Sequence, residues 1–322
     1  MTIGLPTTDE FILSTRPAKH AVDPSRPYAF QIEKECQVDG NVDDVAVVFL
    51  TNLECPFRCL MCDLWKYTTD EPVPIGAIPE QIDFALRRLP SARHIKLYNS
   101  GNFFDPAAIP PVDYAQIAKR VQGFETTIVE NHPLMCGDRV RRFRDCLQAS
   151  EVQSRLEVAM GLETVHPRVL PMLNKRMTTD RFRLACDYLH SLGVSIRAFV
   201  LLRPPLLSEQ EGQDWALKSI EFAFDCGVAT VSVIPTRAGN GIMDRLQSTG
   251  QFSPPTFESL ENVFDAGLNL NRGRVFVDLW DAESWIDKST HSLARLERLR
   301  RMNLCQRILP LPKAHAHAES NQ

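Results

Sequence analysis

The chain has 322 residues, of which 44% are hydrophobic and 24% are charged. These values are typical of a globular protein with one large domain or two modest ones, and they allow a substantial core without disulfides. The chain has 36 Lys and Arg against 40 Asp and Glu, so its formal net charge is −4. This slight acidity argues against binding nucleic acid through bulk positive charge.

The sequence also argues against membrane insertion and secretion. Its longest apolar runs are far shorter than the roughly 18–20 residues that cross a bilayer. Residues 1–10 lack the basic start and apolar block of a secretory signal. We therefore expect a cytoplasmic protein.

Nine cysteines, an odd number spread over a long chain, do not indicate a disulfide framework. Six of them are isolated in the sequence and are interpreted as small buried apolar side chains. These six are Cys36, Cys136, Cys146, Cys186, Cys226 and Cys305. The other three lie close together in one segment.

Predicted strands and helices alternate from residue 44 onward, after a possible edge strand at residues 28–38. The strands are expected at residues 45–51, 94–99, 126–131, 155–161, 194–202, 229–234 and 274–279. The helices are expected at residues 79–89, 112–121, 136–148, 178–192, 209–226, 256–268 and 293–302. This order predicts an α/β fold with a parallel sheet, either an open doubly wound sheet or a full or partial TIM-type barrel. In both, the functional site is expected at the carboxyl ends of the strands.

The same pattern suggests four parts of the chain. We expect an N-terminal extension over residues 1–43, a core barrel over 44–235 and a C-terminal α/β extension over 236–308. A polar tail over 309–322, which contains two histidines, is expected to be disordered.

The loop directly after the first βα strand reads NLECPFRCLMCDLW and contains Cys55, Cys59 and Cys62 with the spacing C-x3-C-x2-C. Three thiolates from one loop can bind three irons of a cubane cluster and leave the fourth iron open to a ligand. A structural zinc site would require a fourth protein ligand, and His94 begins the next strand, at the wrong end. Zinc and unligated thiols remain alternatives.

This loop, in this position, resembles that of the radical S-adenosylmethionine (SAM) superfamily, and the resemblance covers roughly residues 44–235. It implies a partial (β/α)6 barrel in which the three cysteines bind a [4Fe–4S] cluster and SAM chelates the open iron. One-electron cleavage of SAM then gives methionine and a 5′-deoxyadenosyl radical, which abstracts hydrogen from a substrate. The resemblance also implies an external one-electron donor of the flavodoxin or ferredoxin type.

The resemblance further implies a set of SAM contacts at the strand ends, where a carboxylate would accept ribose hydroxyls and a cation would pair with the methionine carboxylate. They are Met61 near the adenine, Ser100 and Gly101 in the turn that receives the amino group, Glu130 at the third strand end, Glu163 for the ribose and Lys175 for the carboxylate. The alternatives are core packing for Met61, an ordinary turn at 100–101 and a surface ion pair between Glu163 and Lys175.

The fifth strand lacks an obvious polar contact to SAM. Arg197 or Arg203 is a weaker candidate for that role, and Ile234 is a candidate for contact with adenine. Residues 203–212 and 236–252 are expected to be mobile loops over the site.

Glu130 and the string GLET…VL…LNK that starts at Gly161 resemble the Elp3-like branch of the superfamily. Within that branch, residues 54–65, the turn at 98–105 and VDLWD at 277–281 resemble the radical SAM subunit of archaeosine synthases and their bacterial relatives. This implies a 7-deazaguanine-type nucleobase in tRNA as substrate, with a small metabolite or peptide as the alternative. A zinc-stabilised, non-catalytic binding module is the alternative of another class.

Two basic runs, at residues 139–144 and 295–301, fall on predicted helices. Each could contact phosphates, but we interpret them as solvated helix faces.

Overall fold

The computed structural model describes residues 8–149 and 152–312, and one sheet of eight strands forms its centre. The strands stand in the sheet in the order in which they occur along the chain. β1 is antiparallel to β2, and each later pair of neighbours is parallel. The strands are β1 (Ala29–Cys36), β2 (Val42–Phe49), β3 (His94–Tyr98), β4 (Thr126–Asn131), β5 (Arg155–Glu163), β6 (Ser195–Leu202), β7 (Thr230–Pro235) and β8 (Arg274–Val277).

Helices connect the successive parallel strands, and one further helix precedes β1 and another follows β8. Within the described ranges they are α1 (Asp9–Thr15), α2 (Ala77–Leu86), α3 (Tyr114–Val121), α4 (Asp138–Gln148), α5 (Val169–Met172), α6 (Thr179–Ser191), α7 (Glu209–Asp225), α8 (Ile242–Ser248), α9 (Phe257–Asn269) and α10 (Thr290–Cys305). The predicted α/β class and parallel sheet are confirmed, and the expected element ends differ from the observed ones by a few residues.

The main core lies between the sheet and the surrounding helices. In α3, Tyr114, Ile117 and Val121 recur at helical spacing and are all buried. In β2, every second residue from Ala46 to Leu50 points into the same core. Burying each large side chain of this kind stabilises the fold by about 1.5–3 kcal/mol, which is why the helices stay on the outer face.

Contacts between strands that are far apart in the strand order show that the sheet curls. Arg197 in β6 donates to Glu35 in β1 at 2.6 Å, and Arg274 in β8 donates to the Cys36 carbonyl at 2.8 Å. Five strand spacings would separate β1 from β6 by roughly 24 Å in a flat sheet. The curl therefore produces the partial TIM-type barrel expected from the sequence.

Paired charges fill the interior near the amino ends of the parallel strands. Lys96 Nζ lies 2.6 Å from Glu35 Oε2, and Arg197 Nε lies 2.7 Å from Glu157 Oε1. Burial alone would raise the pKa of Glu35, but the Arg197 and Lys96 cations outweigh it and lower the pKa. The carboxylate is therefore held ionised, and each cation depends on a facing carboxylate to offset the cost of leaving water.

A second apolar cluster lies at the carboxyl ends of the strands, where α1 and α8 meet. Ile12 of α1 and Met243 of α8 are buried in it together with Leu60 of the cysteine loop. A Cβ on Gly241 would lie 1.9 Å from the Thr15 carbonyl oxygen, so the two helices leave no room for a side chain there. The prediction of a mobile loop at 236–252 is wrong in its centre, where buried apolar residues form α8.

The structure of residues 313–322, which include His315 and His317, lies outside the described part of the chain. Leu309, at the start of the predicted tail, accepts a hydrogen bond from Arg298 Nε at 2.7 Å. Among the helices of the described ranges, none has the length and apolarity needed to traverse a membrane.

We predict that Arg197→Ala lowers the free energy of unfolding by about 3–5 kcal/mol, because Glu35 and Glu157 would each lose a buried cation. Urea denaturation measures the change. The matched control is Arg300→Ala, whose half-exposed pair with Glu283 should contribute less than about 1 kcal/mol. Equal losses in the two variants would contradict the prediction.

Candidate active site

The segment from Asn52 to Asp63, called the cysteine loop below, leaves the carboxyl end of β2 and is held by three other parts of the chain. Leu60 N donates to Leu173 O at 2.9 Å, beyond β5, and Asn174 Nδ2 donates to Arg58 O at 2.8 Å. On the other side, the side chain of Asn240 donates to the Leu60 carbonyl at 2.8 Å and to the Cys62 carbonyl at 3.1 Å. These bonds fix the course of a loop that has no helix or strand of its own around the cysteines.

The three cysteines lie within electrostatic range of one another. Cys59 is buried, and Cys55 and Cys62 are partly buried. Burial raises the pKa of Cys55 and of Cys59 to about 11 and that of Cys62 to about 12, and neighbouring cysteines raise each pKa further. Lys175 opposes this effect at Cys59 and Cys55. The positive charge of Lys175 therefore acts on the thiols of Cys59 and Cys55.

A turn after β3 lies against the cysteine loop and is held by Glu130 at the end of β4. Glu130 Oε1 accepts hydrogen bonds from Asn99 N at 2.6 Å and Gly101 N at 3.2 Å. Burial raises the pKa of Glu130 to about 7, although these backbone donors oppose the rise. A Cβ on Gly101 would lie 3.3 Å from the Cys55 Cβ, so this glycine allows the close approach. The Ser100 side chain forms a hydrogen bond of 2.9 Å with the Tyr28 hydroxyl.

Glu163 and Lys175 form a buried ion pair, with 2.7 Å between Glu163 Oε1 and Lys175 Nζ. The ion pair between Glu163 and Lys175, given above as the alternative to contacts with SAM, is thus observed, but it lies in the interior and not on the surface. Burial alone would lower the pKa of Lys175, but Glu163 and the nearby cysteines outweigh it and raise the pKa. A Cβ on Gly161 would lie 2.1 Å from Glu163 Oε1, which makes a side chain at 161 incompatible with the pair.

The other predicted contacts are placed as follows. Met61 and Ile234 are partly buried and pack against the second apolar cluster. Arg203 pairs with Glu209 and donates to the Pro254 carbonyl at 2.9 Å. The prediction that Arg197 reaches the site is wrong, because its guanidinium pairs with carboxylates near the amino ends of the strands.

Sequence reasoning missed several residues that hold the cysteine loop. The Phe57 ring stacks on His132 with 3.8 Å between ring centroids. Asn102 is buried and its side chain donates to Cys55 Sγ at 3.1 Å. Asn240 anchors the loop as described above. None of these contacts joins neighbours in sequence, so no local pattern pointed to them.

The N-terminal segment also holds the cysteine loop. Arg16 and Lys19 each place a nitrogen 2.7 Å from a Glu54 carboxylate oxygen, next to Cys55. The Arg16 guanidinium also lies over the Trp65 ring, 4.5 Å from its centroid. Residues before β1 are therefore part of the structure around the site.

The residue types fit the expected cluster, since one loop supplies three soft sulfur donors with the spacing C-x3-C-x2-C. Across residues 8–149 and 152–312, no three His, Cys, Asp or Glu side chains are arranged as a metal-ion site. His94 Nε2 lies 3.2 Å from Asp43 Oδ2 at the amino end of β3, so it is not available as a fourth zinc ligand.

The basic runs on the helices are largely paired. In α10, Arg295 and Arg298 pair with Glu261 and Asp265 of α9. In α4, Arg141 pairs with Asp138 of its own helix. These arginines are engaged with carboxylates, which favours the interpretation as helix faces.

The chain has the same partial-barrel fold as a solved enzyme, methylornithine synthase. The structure of methylornithine synthase superposes with a TM-score of 0.50 at 13% identity and covers 70% of this chain and 64% of that one. No protein-family model matches the chain.

Three archaeal proteins are similar in sequence. An uncharacterised protein of Methanocaldococcus jannaschii is 20% identical over 89% of this chain and 83% of its own length. The archaeosine synthase beta subunits of Methanosarcina acetivorans and Thermococcus kodakarensis are 24% and 26% identical over 64% of this chain. The chain spans 60% and 64% of the lengths of those two subunits.

We predict that Glu54→Ala makes trypsin cut after Lys19 about fivefold faster. The variant removes the shared partner of Arg16 and Lys19, and a loss of about 1 kcal/mol corresponds to that factor in the fraction of open segment. Mass spectrometry of a timed digest measures the rate.

Asp70→Ala is the matched control for this digest. It also removes a partner of Lys19, but the Asp70 side chain is 87% exposed and should contribute little. Similar cleavage rates in Glu54→Ala and Asp70→Ala would show that Glu54 does not hold the segment.

Proposed function

We propose that the protein is a radical SAM enzyme. The observation that carries the proposal is the position of Cys55, Cys59 and Cys62. They lie on one loop at the carboxyl end of β2 in a curled parallel sheet, and the positive charge of Lys175 acts on Cys55 and Cys59. In this proposal residues 44–235 form the catalytic core and residues 236–308 extend its wall. β8, in that extension, is paired with β7.

Cys55, Cys59 and Cys62 would hold a [4Fe–4S] cluster, which supplies one electron and an open iron for reductive cleavage of SAM. A protein electron donor of the flavodoxin or ferredoxin type would reload it. The task of the chain is to bind and orient SAM and to keep water away.

The strand ends offer groups that suit each part of SAM. Lys175 would pair with the methionine carboxylate, and Glu163 would accept the ribose hydroxyl hydrogens. Ser100 and Gly101, held by Glu130, would line the space for the amino group, and Met61 would pack near the adenine.

The Glu163–Lys175 pair explains how both charges stay buried in the protein without SAM. Each group offsets the other's loss of hydration, so neither is left unpaired before SAM arrives. When the SAM carboxylate reaches Lys175, Glu163 becomes free to accept from the ribose. The exchange keeps both groups partnered throughout binding.

For the substrate, we propose a modified nucleobase of the 7-deazaguanine type, in tRNA or free. Similarity to archaeosine synthase beta subunits supports this choice. The rings of Tyr98 and Phe199 meet edge to face inside the barrel, with 6.4 Å between ring centroids, and both residues are only partly buried. Aromatic side chains of this kind suit a planar base.

A small metabolite or peptide is the second candidate. The pairing of arginines on α4 and α10 favours it, because these helices present fewer free cations to an RNA backbone.

We predict that the wild-type protein, reconstituted without oxygen with iron and sulfide and then reduced with SAM, forms 5′-deoxyadenosine. Cys59→Ala should assemble no normal cluster and form none, because it removes one of three sulfur ligands. Cys305→Ala, which changes an exposed cysteine outside the loop, is the control and should match the wild type. Iron and sulfide assays and mass spectrometry measure the outcome. A colourless zinc protein would support the non-catalytic module, and 5′-deoxyadenosine from Cys59→Ala would contradict the proposal.

The same assay separates the two substrate classes. Faster 5′-deoxyadenosine formation with tRNA, lost as salt concentration rises, would support a tRNA substrate. Faster formation only with a small-molecule fraction of a cell extract would support the second candidate.

We predict that Lys175→Ala weakens SAM binding by about 10- to 100-fold, since a hydrogen bond to a charged group contributes about 1.5–3 kcal/mol. Calorimetry on the reconstituted protein measures the affinity. The control is Arg176→Ala, because the next side chain is half-exposed and pairs with Asp9 on the outside. Unchanged affinity in Lys175→Ala, at normal iron content, would refute the role of Lys175.

A further inference from the structure

Asn102 joins the cysteine loop to the end of β4 through both ends of its amide group. Its Nδ2 donates to Cys55 Sγ at 3.1 Å, and its Oδ1 accepts from His132 N at 2.7 Å. The side chain is buried, with 2% of the residue exposed. The next residue, Phe103, donates its backbone N–H to Glu130 O at 2.9 Å, so the turn is tied to β4 on both sides of the amide.

The His132 backbone decides which end of the amide faces the sulfur. A backbone N–H can only donate, so it requires the amide oxygen as its partner. The NH₂ group must then point to Cys55. The direction of the N–H···S hydrogen bond thus follows from the His132 N–H group. It does not depend on telling the oxygen of the Asn102 amide from its nitrogen.

The hydrogen bond from Asn102 also fixes the position of Cys55. Gly101 lets the turn approach the cysteine to within van der Waals distance, and the Phe57–His132 stack joins the same two segments a few residues away. Asn102 therefore lies at a junction that is already rigid. An amide held in this way stays directed at the sulfur at little entropic cost.

We propose that Asn102 is a positioning residue that orients Cys55 and raises the reduction potential of the cluster bound there, an inference that rests on the proposed function. A hydrogen bond to a ligand sulfur withdraws negative charge from it. It therefore stabilises the reduced, more negative cluster more than the oxidised one.

The test compares midpoint potentials of the reconstituted proteins in redox titrations followed by electron paramagnetic resonance. Asn102→Leu removes the donor in a similar volume. Asn102→Asp keeps an oxygen for the His132 N–H but presents an ionised, acceptor-only group to the sulfur. We expect Asn102→Leu to lower the equilibrium constant for reduction about tenfold, which equals about 59 mV for a one-electron couple. Asn102→Asp should lower it further because of its charge.

Asn131→Leu is the matched control. Asn131 is also buried, and its Nδ2 lies 3.5 Å from the sulfur of Cys136, a cysteine outside the loop. The midpoint potential of the Asn131→Leu protein should equal that of the wild type. Thermal unfolding of each apoprotein checks the fold, and Asn102→Asp carries the comparison if Asn102→Leu is destabilised.

Each result has a distinct meaning. A folded Asn102 variant that loads less iron than Asn131→Leu would support the positioning of Cys55. Unchanged potentials in both Asn102 variants would overturn this inference and leave the proposed function intact. A wild-type protein that assembles no iron–sulfur cluster would overturn the proposed function and this inference together.

Discussion

Seven parallel strands added in chain order impose one constraint from which the site follows. Each strand must end at the same edge of the sheet, so the segments that leave β2, β3, β4 and β5 start side by side. The cysteine loop, the Ser100–Gly101 turn, Glu130 and Glu163 occupy these four starts. Their closeness in space therefore needs no local signal, since the topology alone brings them together.

The two ends of the barrel interior solve the problem of buried charge in different ways. Near the amino ends, Lys96 and Arg197 pair with facing carboxylates, and this layer of ion pairs closes that end of the barrel interior. Near the carboxyl ends, Glu163 and Lys175 pair with each other, and the charge of Lys175 also acts on Cys55 and Cys59. The layer of ion pairs at the amino ends supports the fold, whereas the Glu163–Lys175 pair at the carboxyl ends can exchange partners with a ligand.

The parts of the fold that depend on periodicity could be predicted from the sequence. The parallel strands and most helices were predicted because apolar residues recur with the spacing of their buried faces, whereas the role of the cysteine loop that the spacing of Cys55, Cys59 and Cys62 indicates stays a prediction. Contacts that depend on the curl could not be predicted in this way. Arg197 was assigned to the wrong end because its partner Glu35 lies in β1, 162 positions earlier in the chain. Asn102 was missed because asparagine is common in turns, so its presence in the turn after β3 indicated no further role.

The N-terminal segment changes how the site's boundary is understood. It precedes the barrel in sequence, yet Arg16 and Lys19 bind the carboxylate that directly precedes Cys55, and Ile12 shares a core with Leu60 inside the loop. The loop is thus held from outside by α1 and from inside by Asn102 and Asn240. A loop without secondary structure of its own keeps its shape only when other parts of the chain support it, and here supports lie on both sides. The segment before β1 therefore belongs to the machinery of the site as much as the strands do.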